Sequence, residues 1–93
     1  MQANVYFRKS DLLEAELGDE IVALNADTGI CFGFNEVAST VWRLLEQPRT
    51  EEQIRSSLEQ QYDVEPGRCR EEVAELLRGM VDQGIVGIRQ EAR

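Results

Sequence analysis

The chain has 93 residues, of which ten are basic, eighteen are acidic and none is histidine, so its net charge is −8. This length suits a single domain, spanning residues 1–93, with a modest core. A surface this negative repels phosphate groups, which argues against nucleic acid as a partner. The first residues lack the basic and apolar regions of a signal peptide, and no apolar run approaches the roughly 20 residues of a membrane span. We therefore expect a cytoplasmic protein with no membrane partner.

The first part of the chain has the period of β-strands. Apolar and acidic side chains alternate over residues 13–17, residues 21–24 form a short apolar run, and a third apolar segment covers 30–34. Gly18-Asp19 suits a tight hairpin turn, and residues 25–29 tolerate positive φ. Short turns join neighbouring antiparallel strands, so we predict a three-stranded meander in sequence order.

From Asn35 onward the apolar residues recur at helical spacing, which predicts three helices. Their end signals are Asn35 and Pro48 for the first, Thr50 with Gln53 for the second, and Pro66 and Gly84 for the third. Residues 85–88 then read as a short extended tail or wing. A sheet followed by helices predicts an α+β domain of the winged helix-turn-helix type.

The predicted third helix is apolar over a wider arc than a core-facing helix needs. Its apolar side chains spread over about 160°, against about 100° for an ordinary amphipathic helix. We therefore predict that one side faces the core and the other lines a groove, although spacing alone leaves the two sides interchangeable. The core set is Leu76, Cys69, Met80 and Val73, and the groove set is Leu77, Ala74, Val81 and Arg70. Arg70 either lays its methylenes over the apolar edge or stands as a cation beside the groove.

The third predicted strand, Ile30 to Phe34, is an edge strand unless another segment covers it. Such an edge presents unpaired N–H and C=O groups, and this strand carries no lysine, proline or inward charge to blunt it. Gly33 also permits close approach of another backbone. The pattern favours capture of an extended peptide by strand addition. In the alternative, Gly33 marks a bulge or packs tightly against Trp42, and a short strand at residues 5–7 covers the edge.

The two cysteines, Cys31 and Cys69, are far apart and lack CxxC spacing. Without histidine, neither a structural zinc site nor a thiol–histidine pair can be assembled from this chain, and no cofactor is expected. Each cysteine is expected as a small buried apolar side chain. In the alternative, both thiols flank one groove and a reversible disulfide closes it.

Two stretches, LNADTGICFGFNEVASTVWRLLEQPRTEEQI and YDVEPGRCREEVAELLRGMVDQGIV, resemble the PqqD-like precursor-recognition domains of ribosomal peptide-natural-product pathways. The marks are Phe32-Gly33-Phe34-Asn35, Trp42-Arg43-Leu44-Leu45, Thr50-Glu51-Glu52-Gln53-Ile54, Tyr62-Asp63-Val64 and Gly84-Ile85-Val86. The Phe32-Gly33-Phe34-Asn35 segment and the helix after it are most similar to the stand-alone members of lasso-peptide pathways, which commonly show Tyr-Phe-Gly-Leu-Asn. Here Cys31 stands for the tyrosine and Phe34 for the leucine.

The resemblance implies a non-catalytic protein that binds the leader segment of a precursor peptide as an extra strand on the third strand. Backbone groups of residues 30–34 would hold the leader, and side chains of the third helix would line its pockets. Including Arg70 and Ala74 from the helical wheel, the expected peptide-binding residues are Ile30, Cys31, Phe32, Gly33, Phe34, Arg70, Val73, Ala74, Leu77, Met80 and Val81. In a lasso pathway the further partners would be a leader peptidase and an ATP-dependent cyclase. In a quinone-type pathway the partner would be a radical S-adenosylmethionine enzyme.

Other functions fit the sequence less well. A DNA-reading helix should expose basic residues, whereas the third helix carries Glu71, Glu72, Glu75 and Asp82 at its exposed positions. An enzyme needs converging reactive groups, and the carboxylates here are scattered. The oligomeric state stays open between a monomer and a homodimer formed through the edge strand.

Overall fold

The computed structural model describes residues 2–9, 12–63 and 65–92. Its strands are β1 (Gln2–Arg8), β2 (Leu13–Leu17), β3 (Glu20–Asn25), β4 (Ile30–Phe34), β5 (Arg49–Thr50) and β6 (Val86–Ala92). Its helices are α1 (Glu36–Leu44), α2 (Glu51–Gln61) and α3 (Pro66–Asp82). The predicted α+β class is confirmed. Val64, part of one of the marks of resemblance, lies outside the described residues.

Strands β2, β3 and β4 form the predicted antiparallel meander, in that order. Gly18 turns the first hairpin at φ +68°, which a residue without a side chain adopts readily. The second turn is held by Asn25, whose side-chain oxygen accepts a hydrogen bond from the Asp27 N–H at 3.0 Å. The turn residues therefore do what their composition predicted.

A second antiparallel sheet in the described chain was not predicted, and its strand order is β5-β1-β6. Strand β1 pairs along its whole length with β6, from Gln2 opposite Ala92 to Arg8 opposite Val86. The predicted strand at residues 5–7 thus exists, but the alternative in which it covers the edge of β4 is wrong. In the described chain β1 belongs to a separate sheet, where it pairs with β6 along its length and with β5 at Val5 and Tyr6.

The helix ends follow the predicted capping signals. Asn35 accepts a hydrogen bond from the Ala38 N–H at 2.8 Å, and Thr50 forms a reciprocal capping box with Gln53. Helix α3 ends before Gly84, whose φ of +79° lets the Ile85 N–H reach the Met80 carbonyl at 3.2 Å. This turn sends the chain back into β6. Of the helices described, none combines the length and apolarity needed to cross a membrane.

Helix α1 packs across one face of the β2–β3–β4 sheet, which we call the inner face. Its Trp42 is buried, with its ring centroid 5.4 Å from that of Phe34. The Arg8 guanidinium lies 4.4 Å from the centroid of the Trp42 ring, and the indole N–H donates to the Glu14 carboxylate. The core continues through side chains of both sheets and all described helices, including Ile21, Ala23, Val41, Leu45, Ile54, Leu58, Leu77, Ile85 and Val86.

A buried hydroxyl joins α1 to the sheet. Ser39 is completely buried, and its Oγ accepts a hydrogen bond from the Ile21 N–H at 2.9 Å while donating to the Phe34 carbonyl at 3.1 Å. One side chain therefore satisfies a backbone group of β3 and another at the end of β4. Unpaired backbone groups are costly when buried, so this relay fixes where β4 ends relative to α1.

The two cysteines have different environments. Cys69 is buried in the core, as predicted, and burial followed by the nearby Glu59 carboxylate raises the pKa of its thiol. Cys31 is exposed on β4, so the prediction of burial was wrong for this residue. The reason is register, because Cys31 alternates with the buried Phe32 and Phe34 and so points away from the inner face. Both thiols are free.

We expect Ser39→Ala to lower the free energy of unfolding by about 1–3 kcal/mol, because it leaves two buried backbone groups without their partner. Urea denaturation followed by circular dichroism measures this directly. Ser56→Ala, at an exposed position of α2, is the matched control and should change stability by no more than about 0.5 kcal/mol. Equal effects of the two substitutions would show that the relay does not stabilise the fold.

We expect the native protein to offer one fast-reacting thiol to a water-soluble disulfide reagent at pH 8. Cys31 is exposed, whereas burial both shields Cys69 and disfavours its thiolate. Cys31→Ser should therefore remove the fast phase, and Cys69 should react only after unfolding in urea. A fast phase that survives in Cys31→Ser would contradict the assignment.

Candidate functional site

Strand β4 is the open edge of its sheet. On one side it pairs with β3 from Ile30 opposite Asn25 to Phe34 opposite Ile21, and on the other side no described strand pairs with it. The N–H and C=O groups that point outward from this edge are therefore available to another extended chain. Helix α3 runs beside the edge without closing it.

The space between β4 and α3 is a groove of about 410 Å³, which we call the β4–α3 groove. One side is formed by β4 and the start of α1, and the other side is formed by the second half of α3. Its lining residues are Cys31, Phe32, Gly33, Phe34, Asn35, Ala38, Glu75, Leu76, Gly79, Met80 and Gln83. The groove thus combines an unpaired strand edge with a helix wall of mixed polarity, in which Leu76 and Met80 are apolar and Glu75 and Gln83 are polar.

The wall formed by α3 follows helical spacing. Leu76, Met80 and Gln83 lie on one face at steps of four and three residues, with Gly79 between them. A Cβ at Gly79 would meet no described atom within 4 Å, so the absent side chain opens space in the groove and is not required by core packing. Glycine inside a helix lowers helix stability by about 0.5–1 kcal/mol relative to alanine. A glycine at a position that has room for a side chain is therefore unusual.

The structure brings together part of the predicted set of peptide-binding residues. Cys31, Phe32, Gly33, Phe34 and Met80 all line the β4–α3 groove. Ile30 is exposed at the beginning of β4, outside this lining. The remaining predicted residues, all on α3, are outside the lining too, and they are Arg70, Val73, Ala74, Leu77 and Val81.

Helix α3 is rotated relative to the predicted division into core and groove sides. Leu77, predicted in the groove, is completely buried, whereas Leu76, predicted in the core, is half-buried and lines the groove. Val73 and Cys69 are in the core as predicted. Met80 belongs to the core and also lines the groove. A helical wheel fixes the angles between side chains but not the direction of the core, so this rotation could not be read from spacing alone.

The groove residues that the sequence reasoning missed are Asn35, Ala38, Glu75, Leu76, Gly79 and Gln83. One signal was available for them, because Gly79 lies within α3, three residues before its last residue Asp82, and it does not form the cap. The face that contains Gly79 also contains Leu76 and Gln83, so the glycine points to the correct side.

Gly33 has neither of the roles in the alternative prediction. The register between β3 and β4 runs without interruption through Val22 opposite Gly33, so there is no bulge in this described ladder. A Cβ at Gly33 would also meet no described atom within 4 Å, which excludes tight packing against Trp42. The position is open, as expected for a site where a second backbone approaches.

The groove is acidic on its helix side. Glu75 and Leu76 continue from it into a neighbouring depression of about 450 Å³ that also contains Val37 and Glu72. Arg70 is exposed elsewhere on α3, and within the described residues neither lining includes a basic side chain. No three described His, Cys, Asp or Glu side chains are grouped as metal ligands would be.

Two solved structures are similar to this chain in fold. TbiB1 in complex with the TbiA(beta) leader peptide matches with a TM-score of 0.78 and 26% identity over 86% of this chain and 93% of that one. Lasso peptide synthetase B1 complexed with the leader peptide matches with a TM-score of 0.73 and 20% identity over 88% and 96% of the two chains, a likeness of fold. Among curated proteins, no significant match is found. The family model for coenzyme PQQ synthesis protein D (PqqD) matches residues 20–86, most of the chain, and the protein therefore belongs to the PqqD family.

Proposed function

We propose that the chain is a single, non-catalytic recognition domain that captures the leader segment of a ribosomally made precursor peptide and presents it to processing enzymes. The leader would add to β4 as a further antiparallel or parallel strand, with side chains entering the β4–α3 groove. The observation that carries this proposal is the unpaired edge of β4 beside an open groove whose helix wall contains the apolar side chains of Leu76 and Met80.

The chemistry of the groove suits an extended peptide. Backbone pairing with Cys31 to Phe34 tolerates many leader sequences, and the pocket between Leu76, Gly79 and Met80 provides selectivity for side chains. Ordering a disordered leader costs several kcal/mol, which leaves a moderate affinity and permits release to an enzyme. Of the residues first predicted, Val73 and Leu77 would act from beneath the groove by supporting its wall.

The solved structures favour a place in lasso-peptide maturation, because both are named as complexes with a leader peptide and one as a lasso peptide synthetase. The further partners would then be a leader peptidase and a cyclase, acting in the cytoplasm where the precursor is translated. The second candidate is delivery of a precursor to a radical S-adenosylmethionine enzyme, which the family name, coenzyme PQQ synthesis, favours. Copurification with one or the other enzyme distinguishes the two.

The order of three helices followed by a strand supports the finer description as a winged helix-turn-helix, with the β1–β6 ribbon as the wing. A regulatory role on DNA is disfavoured by the negative charge of α3, the helix that would enter the major groove of the DNA. Glu71, Glu72, Glu75 and Asp82 are all exposed on α3 and would face phosphates.

We expect binding of the leader to depend on its backbone N–H groups with a period of two. A fluorescently labelled leader, taken from the precursor encoded beside this protein, is methylated at one backbone nitrogen at a time and titrated by anisotropy. In an added strand alternate N–H groups point toward β4, so alternate methylations should weaken binding about 2- to 12-fold, the value of one hydrogen bond. Sensitivity that follows side-chain identity without alternation would contradict strand addition.

We expect Gly79→Leu to weaken leader binding at least about tenfold, or about 1.4 kcal/mol, because the new side chain fills the groove. The same substitution removes a helix-interior glycine, so thermal stability should be unchanged or higher. Gly67→Leu is the matched control, since Gly67 is exposed on the same helix, has room for a side chain and lies outside the groove lining. If both variants bind the leader like the wild type, the β4–α3 groove is not its binding site.

A further inference from the structure

The β1–β6 ribbon has an open edge of its own. In the described chain β6 pairs with β1 from Val86 to Ala92, and no described strand pairs with its other side. This edge is seven residues long, against five for β4, and the ladder behind it runs without a bulge. The strand also contains neither proline nor lysine. A long edge of this kind pairs with another strand unless something prevents it.

The backbone groups that point outward from β6 follow from its pairing with β1. The same register continues to Lys9 opposite Ile85, where the Lys9 N–H donates to the Ile85 carbonyl at 3.0 Å. Along an antiparallel ladder, hydrogen-bonded pairs alternate with pairs that are not hydrogen-bonded. Every second residue counted from Ile85 therefore bonds to β1. The residues between them, including the exposed Ile88 and Gln90, turn their N–H and C=O groups toward the open edge.

The charges of β6 are complementary to those of a second β6. Arg89 and Glu91 are exposed, lie on the same side of the strand and form an ion pair at 2.9 Å. When a strand pairs antiparallel with its own copy, the two-fold axis passes through one residue, and positions on either side of it face each other. An axis at Gln90 places Arg89 of each copy opposite Glu91 of the other. Its two Gln90 residues would exchange backbone hydrogen bonds.

Charge disfavours the two neighbouring registers. An axis at Arg89 would place two guanidinium groups opposite each other, and an axis at Glu91 would do the same with two carboxylates. Like charges directly opposite are destabilising. With the axis at Gln90, the opposite charges fall at pairs without backbone hydrogen bonds, where cross-strand side chains are closest. Charges of one sign would block the edge, whereas this alternating pair selects one register.

The ribbon suits self-association better than the rest of this acidic chain. Strand β1 has no acidic side chain, and Glu91 is the single one in β6, although the whole chain carries a net charge of −8. Strands β6 and β4 belong to different sheets. A contact between two β6 strands therefore does not use the edge of β4 on which the leader would add.

We propose that two copies of this protein associate through β6, with the two strands pairing antiparallel about Gln90 so that two ribbons become one continuous sheet. The inference does not depend on the leader-binding function proposed above. The contact involves only residues 88–92 of each strand, and small interfaces of this kind are weak. We therefore expect a reversible dimer with a dissociation constant on the order of micromolar.

Disulfide crosslinking of the full chain tests the register. The background carries Cys31→Ser, which removes the exposed native thiol. Gln90→Cys should crosslink to its own copy under mild oxidation, because residues at the axis have Cα atoms about 5.5 Å apart, within disulfide range. Asn4→Cys is the matched control, since Asn4 is exposed directly opposite Gln90 on β1 but lies one strand farther from the axis in each copy. Equal crosslinking of the two variants, or none at Gln90→Cys, would overturn the inference.

Sedimentation equilibrium tests the role of the charges. Glu91→Arg should weaken the dimer about tenfold, because it places arginines opposite each other at both symmetry-related pairs. The swapped variant, Arg89→Glu with Glu91→Arg, restores opposite charges in the same register and should dimerise like the wild type. A wild type that stays monomeric up to about 1 mM would show that no dimer forms. A dimer that Glu91→Arg leaves intact, or that the swap does not restore, would show that this charge pair does not select the contact.

Discussion

The packing of α1 across the inner face of the meander is the contact on which the rest of the structure depends. Trp42 fills the space under β4, and Ser39 joins the backbones of β3 and β4 through one buried hydroxyl. Because α1 covers the inner face of the sheet, α3 lies beside β4 and not over it. The edge of β4 stays open as a result, while the strand itself is held rigidly.

An open edge is normally a liability in a small protein, because it pairs with any exposed strand. This protein keeps the edge short, five residues in β4, and two acidic side chains of α3, Glu72 and Glu75, lie in the groove or in the depression next to it. Glycines at positions 33 and 79 leave room on both sides of the groove where side chains would fit without clash. Core packing therefore does not require glycine at either position.

The two faces of the meander differ in burial. The inner face supplies stability through Phe32, Phe34 and the helix packed on them. On the opposite face of the meander Leu13 and Leu17 remain exposed, so they contribute little to the fold. Cys31 and Gly33 alternate with the buried Phe32 and Phe34, and both line the β4–α3 groove.

Local physics was enough to determine the meander and the three helices of this protein, including a strand at residues 30–34. Period-two alternation, the Asn35 and Thr50 caps, and Gly84 act within a few residues, so the sequence specified the meander, the helices and their ends. Tertiary structure decided the remainder. The pairing of β1 with β6 joins opposite ends of the chain, and the choice of Leu76 over Leu77 for the groove depends on how α3 is rotated against the core. Neither is set by neighbours in sequence, because each depends on which surfaces are buried together when the whole chain packs.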